Sequence, residues 1–199
     1  EELRADREFV LGALKVNSQI LEDVSDALKV DRKFVLQAIE VSHYALAFEV
    51  VCKELKDDRS FVLEAVKKRG EALQYTELKF RADREIVLEA VKNYGNALEY
   101  ASENLRADQE VVLEAVKSSG GALLSANLQF RANREIVLEA VKNNEMMIDY
   151  ASEDLRGDRE FVLEVVKSYG IMLQYASEAL RADQEVVLEA VKSSGGALL

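Results

Sequence analysis

The stretch LRADQEVVLEAVKSSGGALL occupies residues 105–124 and recurs, residue for residue, at 180–199. Weaker copies of the same text fill the rest of the 199-residue chain. Self-similarity at a short fixed period is typical of architectures in which each unit packs against its sequence neighbours. The chain is therefore predicted to be a tandem array.

The register of the repeat is set by an Asp or Asn, here called the anchor, that precedes each apolar run. The anchors define units 1 to 8 and are Asp6, Asp31, Asp58, Asp83, Asp108, Asn133, Asp158 and Asp183. They are spaced by 25 residues, except for a two-residue insertion near Cys52. Val-Leu follows four and five positions after every anchor. We treat 1–199 as one array, with divergent units in 1–54 and near-identical units in 55–199.

Each unit is predicted to form a helix-turn-helix. The anchor has the chemistry of an N-cap, and an acidic residue in the first turn with a Lys in the last turn suits the helix dipole. A Gly such as Gly95 stands twelve positions after most anchors, where a left-handed helix terminus favours glycine. A shorter second helix is predicted around the Ala-Leu that follows. The expected fold is an all-α solenoid of about eight stacked 25-residue repeats, an elongated rod or superhelix.

The apolar positions of the first helix lie three, four, five, seven and eight residues after the anchor. They cover about 200° of its surface, which predicts a helix packed between two neighbours. At interaxial spacings of about 8–10 Å, the array would be on the order of 70–80 Å long. Two other architectures are excluded. The consensus strand motif of leucine-rich repeats is absent. A continuous coiled coil is excluded because the pair Gly120-Gly121, followed by a new helix cap, interrupts its apolar seam.

The composition excludes several classes of partner. The formal net charge of −11 and the pI near 4.8 argue against nucleic acid or an anionic membrane as the main partner. No apolar stretch approaches the roughly 18–20 residues of a membrane-spanning helix, and no signal peptide opens the chain. We expect a soluble intracellular or organellar protein. Because both ends cut through a repeat and lack polar caps, we also expect a segment of a longer array.

The sequence assigns no catalytic, cofactor-binding or metal-binding residue. His43 is the only histidine, whereas a zinc site usually needs three or four ligands. Cys52, the only cysteine, is expected to pack in the interior. The pair Glu85 and Glu89 recurs in other units, as a solvated face does, whereas catalysis needs one constellation in one place. No P-loop order of Gly, Lys and Ser or Thr is present. The chain is not predicted to be an enzyme.

Two rows of basic residues flank the anchors. The preceding row, two positions before each anchor, is Arg4, Lys29, Lys56, Arg81, Arg106, Arg131, Arg156 and Arg181. The following row, directly after the anchor, is Arg7, Arg32, Arg59, Arg84, Arg134 and Arg159, with Gln109 and Gln184 in the other two units. These side chains either pair with acidic neighbours, each pair worth at most about 1 kcal/mol when exposed, or bind carboxylates of a partner. Both interpretations stay open.

Divergence along the array gives a second indication of a binding site. Near-identical units present a uniform surface, so a specific partner is expected to bind the irregular units of 1–54. The candidate residues there are Phe34, His43, Tyr44 and Phe48.

The text L-R-A-D-R-E-x-V-L-E-A-V-K-x-x-G-x-A-L-x-Y-A-S-E resembles a family of short tandem repeats catalogued as a domain of unknown function. The resemblance covers essentially all of 3–199. It departs at Ser18, His43 and Glu145, which replace the Gly, and at the insertion before Leu55. The resemblance implies a repeat fold and supplies no catalytic residue.

The array itself predicts a non-catalytic scaffold or structural linker that binds protein partners within a larger assembly. It offers an extended surface with repeated faces and requires no cofactor. The alternative is that the segment is the binding arm of an enzyme or effector whose catalytic domain lies outside it.

Overall fold

The computed structural model describes residues 2–42, 47–49 and 51–194, which form helices and contain no strand. Each unit that lies wholly within these ranges has three elements in the same order: a long α-helix, a 3₁₀ helix and a one-turn helix. The all-α repeat solenoid is confirmed.

The bounds of the elements repeat with the sequence. The long helices are Arg7–Leu14, Arg32–Val41, Arg59–Lys68, Arg84–Asn93, Gln109–Ser118, Arg134–Asn143, Arg159–Ser168 and Gln184–Ser193. The 3₁₀ helices are Ser18–Asp23, Gly70–Tyr75, Gly95–Tyr100, Gly120–Leu124, Glu145–Tyr150 and Gly170–Tyr175. The one-turn helices are Glu2–Ala5, Asp26–Lys29, Lys53–Asp57, Leu78–Arg81, Glu103–Arg106, Leu128–Ala132, Glu153–Gly157 and Glu178–Arg181, of which Leu128–Ala132 has 3₁₀ geometry.

The anchors cap the long helices as predicted. In unit 4, Asp83 Oδ1 accepts from the backbone N–H groups of Glu85 and Ile86 at 3.1 and 3.3 Å. In unit 6, Asn133 Oδ1 accepts from Ile136 N–H at 3.1 Å. A carboxylate or amide oxygen satisfies first-turn donors that have no partner within the helix. Every long helix in the described part of the chain begins with such a cap.

The prediction of a single second helix is wrong, because the chain turns to extended backbone in its middle. Ala101 has φ −68° and ψ 155° and separates the 3₁₀ helix from the one-turn helix. The next residue, Ser102, donates its backbone N–H to the carbonyl of Arg81 in the preceding unit at 2.8 Å. The equivalent bonds join Asn127 to Arg106 and Ser152 to Arg131 at 2.8 and 2.7 Å. This donor is used between units and not within a helix.

The core is a continuous stack. Long helices of successive units pack side by side, and so do successive 3₁₀ helices. In unit 5, Val111, Val112, Ala115 and Val116 are completely buried. These are the positions three, four, seven and eight after the anchor, whereas Leu113, at the fifth, is only partly buried. The long helix is thus covered on two sides, as the wide apolar stripe predicts.

The recurrent glycine packs against the next unit and does not adopt the left-handed conformation predicted for it. The long helix of unit 4 ends at Tyr94 in extended backbone, and Gly95 has no positive φ. A Cβ on Gly95 would lie 2.3 Å from the Ala115 carbonyl oxygen in unit 5, which is closer than any real contact. Gly95 N–H also donates to Ser118 Oγ at 3.1 Å. Glycine is required here because two backbones meet.

Candidate partner-binding surface

The following row of arginines links neighbouring units. Arg59 contacts Asp83, the anchor of the next unit, at 2.7 Å and Glu85 at 2.6 Å. Arg84 makes the same pair of contacts with Asp108 and Glu110. Because each guanidinium spans two carboxylates of the neighbouring helix start, the row forms a chain of ion pairs along the array.

The other members of the row also reach the next anchor, but the second partner of Arg32 and Arg134 is a Glu six positions after that anchor, and the second partner of Arg7 is Gln37. Arg134 contacts Asp158 at 3.5 Å and Glu164 at 2.9 Å, and Arg159 contacts Asp183 at 3.2 Å. The side chains remain partly exposed, with 41% and 44% of the two arginines accessible. A carboxylate-bearing partner would have to compete with these intramolecular contacts, so the geometry favours the structural interpretation of this row.

The charges of the anchors reflect these pairs. Side-chain hydrogen bonds from Arg59 lower the pKa of Asp83 below its usual range. For Asp183, the backbone N–H of Val186 and then the side chain of Arg159 lower the pKa. Each carboxylate therefore serves as a helix cap and as the acceptor of a cation from the preceding unit.

In unit 5 the arginine of the row and the aspartate that it would contact are both replaced. Gln109 replaces the arginine, and Asn133 replaces the aspartate of the next anchor. An anchor charge without its arginine is thereby avoided at this joint, whereas Glu135, the counterpart of Glu110, keeps its charge, and Asn133 still caps its helix. The paired replacement agrees with the direct contact between arginine and anchor at the other joints.

The preceding row lies partly within the joints. Arg81, Arg106, Arg131 and Arg156 are half-buried, and their backbone carbonyls accept the inter-unit hydrogen bonds. The Arg81 side chain donates to the carbonyl oxygens of Gln74 and Thr76, at the end of the 3₁₀ helix of the same unit. The Arg131 guanidinium lies 5.7 Å from the ring centre of Tyr150. Arg81 thus closes a helix end, and Arg131 covers an aromatic ring of the next unit.

The aromatic candidates of the divergent units are core residues. Phe34 and Phe48 are buried, and the Phe48 ring packs against Phe61 with centroids 5.9 Å apart. The expectation that these two side chains form a binding surface is wrong, because both occupy apolar positions of the repeat. His43 and Tyr44 lie outside the described residues.

An exposed apolar pair was missed by the sequence analysis. Met146 and Ile171 occupy the same position of units 6 and 7, thirteen residues after the anchor, and are 49% and 51% exposed. Their 3₁₀ helices, Glu145–Tyr150 and Gly170–Tyr175, pack side by side. We call these two residues and Tyr150, which is also exposed, the apolar edge. The signal was present in the sequence, because units 4 and 5 have Asn96 and Gly121 at this position.

No catalytic arrangement is evident among the described residues. Glu89 pairs with Lys92 at 3.0 Å on the exposed face of its helix, and Glu85 pairs with Arg59. Cys52 is a free, half-buried cysteine that precedes a one-turn helix. No group of three or more His, Cys, Asp and Glu side chains in the described ranges could hold a metal ion. None of the helices in those ranges combines the length and the apolar character needed to cross a bilayer.

The fold defines the class of this protein as an α-helical repeat solenoid. A model of the family described as Domain of unknown function (DUF4116) matches residues 31–81, 58–106, 83–131, 108–156, 133–181 and 158–199. These overlapping matches, each about two units long, cover more than half of the chain, and the chain belongs to this family. Among curated proteins no relative matches the chain. No solved structure matches it either.

Proposed function

We propose that this chain is a non-catalytic scaffold or linker that holds protein partners along its stacked units, within a larger assembly. The observation that carries the proposal is a difference between two kinds of surface side chain: charged ones that contact the next unit and apolar ones that are exposed. The following row joins units to one another, whereas Met146 and Ile171 of the apolar edge are about half exposed at a position where units 4 and 5 have Asn96 and Gly121.

The apolar edge has the chemistry of a protein-binding surface. Exposed apolar side chains that are clustered, and not scattered singly, are typical of interaction sites. Methionine adapts its shape to a partner, and tyrosine adds a rigid ring with a polar end. Because the edge spans two units, a partner would read a surface that the near-identical units 4 and 5 do not offer.

The test compares two variants of the tagged protein expressed in its own cells. One carries Met146→Asn and Ile171→Asn, which introduce the residue found at Asn96. The control is Leu78→Glu, which removes an isolated apolar side chain of 78% exposure and introduces the residue found at Glu103. Gentle purification and quantitative mass spectrometry measure the proteins that copurify in fixed stoichiometry.

We expect wild type and the Leu78→Glu control to retain a stoichiometric partner that the double variant loses. In vitro, the purified partner should then bind the double variant at least about tenfold more weakly than wild type. A partner that binds both variants equally would refute the role of the apolar edge. A protein that is always isolated alone would refute the scaffold.

A further inference from the structure

Arg81 and Arg131 occupy the same repeat position but differ in how their donors are used. The sequence around them is nearly the same, LKFR at 78–81 and LQFR at 128–131. Arg81 donates Nε to the Thr76 carbonyl oxygen at 3.0 Å. The Arg131 Nε is buried and makes no hydrogen bond to any residue that the structure describes. Within the same ranges, the Arg131 guanidinium forms no ion pair with a carboxylate.

Apolar side chains surround Arg131 in its own unit. In three other units, the cation of the preceding row reaches the carbonyl oxygen seven positions earlier; the donor and acceptor residues are Lys29 and Glu22, Lys56 and Glu49, and Arg81 and Gln74. Seven positions before Arg131 stands Leu124, which is 45% exposed. Leu128, 68% exposed, precedes Arg131 by one turn of the same 3₁₀ helix, where side chains three residues apart align.

Arg106 and Arg156 share the unpaired Nε but not these apolar neighbours. The residues seven and three positions earlier are Glu99 and Glu103 for Arg106, and Asp149 and Glu153 for Arg156. Nearby carboxylates lower the positive potential at a guanidinium even when they do not contact it. Of these three arginines, Arg131 is therefore the one whose charge is not offset at these two positions of its own unit.

Arg131 is continuous with the apolar edge through Tyr150. Its guanidinium lies 5.7 Å from the centre of the Tyr150 ring, which is 38% exposed. Asp149 precedes Tyr150 in the chain, but it is not paired with Arg131. We call Arg131, Leu128 and Tyr150 the arginine site. It places one unpaired cation beside the apolar surface that units 6 and 7 expose.

We propose that the arginine site binds an aspartate or glutamate side chain of the protein partner, together with an apolar residue next to it in the partner's sequence. This inference rests on the proposed scaffold function and names the chemistry that the partner presents. The planar donors of an arginine suit a carboxylate, and Leu128 and Tyr150 would exclude water from the ion pair. Because the site has a single cation on a chain of formal charge −11, a singly charged carboxylate fits it better than a doubly charged phosphate.

The experiment measures binding of synthetic peptides to the whole chain. Each peptide has one central Glu flanked by Leu, Phe or Ser, and matched peptides have Gln or phosphoserine in place of the Glu. Wild type is compared with Arg131→Gln, which removes the charge and retains a polar side chain. Arg81→Gln is the matched control, because the Arg81 donors already serve two carbonyl oxygens beside an equally placed leucine, Leu78. Circular dichroism establishes that every variant has the helical content of the wild type.

We expect wild type to bind Glu peptides with flanking Leu or Phe at least about tenfold more tightly than their Gln counterparts, and more tightly than Glu peptides flanked by Ser. Arg131→Gln should bind Glu and Gln peptides equally, whereas Arg81→Gln should keep the wild-type preference. Arg131→Glu should prefer peptides with a central Lys over those with a central Glu. A residue that only supports the fold would not invert the preference in this way.

Several results would overturn the proposal. They are equal binding of Glu and Gln peptides by wild type, binding of neither, a preference that persists in Arg131→Gln, and tighter binding of phosphoserine than of Glu. The Met146→Asn and Ile171→Asn double variant separates this outcome from the proposed function. If that variant loses its copurifying partner while wild type shows no preference for Glu peptides, the apolar edge stands and the arginine site alone is refuted.

Discussion

Two neighbouring joints of the array are built differently. Between units 5 and 6, Gly120 lies so close to the next helix that a Cβ would be 2.5 Å from the Ala140 carbonyl oxygen. Its N–H donates to Asn143 Oδ1 at 2.8 Å. Between units 6 and 7, the same positions are Glu145 and Val165. There the Glu145 N–H makes no hydrogen bond to Ser168, although both residues lie in the described part of the chain.

The difference shows which contact controls the closeness of two units. The long helices of units 6 and 7 pack less extensively than those of units 5 and 6, which we attribute to the Cβ at residue 145 and the larger side chain of Val165. The ion pair remains across this joint, but Arg134 and Asp158 are 3.5 Å apart, compared with 2.7 Å for Arg59 and Asp83. Side-chain volume at two positions, and not charge, therefore distinguishes a close joint from an open one.

The largest expected loss of stability comes from placing a side chain in a close joint. Gly95→Ala places a Cβ 2.3 Å from the Ala115 carbonyl oxygen and 2.7 Å from Ser119 N. Because both atoms belong to the backbone, the units must separate, and we expect a loss of about 3 kcal/mol in the free energy of unfolding. Urea denaturation followed by circular dichroism measures it.

Gly157→Ala is the matched control for that substitution. No atom lies within 4 Å of a Cβ at Gly157. The added methyl should change stability by less than about 1 kcal/mol, and in the favourable direction, because alanine restricts the unfolded chain. Equal losses at Gly95 and Gly157 would show that the close joint is not the reason for glycine at the repeat position.

The second prediction converts the open joint into a close one. The double variant Glu145→Gly and Val165→Ala should allow residue 145 to donate to Ser168, as Gly170 donates to Ser193 at 3.3 Å. We expect the amide hydrogen of residue 145 to exchange about fivefold more slowly, which corresponds to one added hydrogen bond worth about 1 kcal/mol. Hydrogen exchange with mass spectrometry measures it.

Each single substitution is the control for the double variant. Glu145→Gly alone leaves the larger Val165 in place, and Val165→Ala alone leaves a Cβ at residue 145. Neither should slow exchange, so the effect should be non-additive. Slower exchange in either single variant would mean that the two positions act independently.

The sequence was sufficient to predict the repeat, its register and the first helix of each unit. Caps, dipole charges and an apolar stripe all indicate the same helix, and the structure has it from Arg84 to Asn93. The break at Ala101 could not be predicted, because it depends on a backbone hydrogen bond from Ser102 to Arg81, which lies 21 residues earlier in the preceding unit. The role of Gly95 was misassigned for the same reason: a local pattern cannot distinguish a left-handed residue from one that approaches a distant backbone.

The binding surface was less accessible to sequence reasoning than the fold. The sequence around Phe34 and Phe48 does not distinguish a surface residue from a core residue. Only their burial in the structure excludes them from a binding surface. Met146 and Ile171 are recognisable once the register is known, because apolar residues replace Asn and Gly at one repeat position. Which repeat positions face solvent follows from the packing of the 3₁₀ helices, and the sequence did not predict that these helices form.

The third prediction concerns acid stability at a joint that has an ion pair. Folding lowers the pKa of Asp83, so its carboxylate stabilises the folded state above the unfolded pKa, and this contribution is lost as the pH falls through the folded pKa. Asp83→Asn retains the cap but removes the charge. We expect the variant to be less stable than wild type at neutral pH and to lose less stability below about pH 4.

Urea midpoints between neutral and acidic pH measure this difference. Asp154→Asn, at an exposed position in a one-turn helix, is the control and should follow the wild-type curve. Parallel curves for wild type and Asp83→Asn would mean that the contact between Arg59 and Asp83 has no role in acid unfolding.

The smallest effect is expected where the chain already offers the replacement. Arg84→Gln with Asp108→Asn recreates at one joint the neutral pair found at Gln109 and Asn133. Because the contact is exposed and the amide still caps the helix, the double variant should lose less than about 0.5 kcal/mol. Arg84→Gln alone should lose more, since Asp108 then lacks its cation, and the two single variants complete a double-mutant cycle. The double variant could instead lose nearly as much free energy of unfolding as Gly95→Ala. Charge would then hold the units together even where the backbone contact is intact, and the conclusion drawn from the two joints would be reversed.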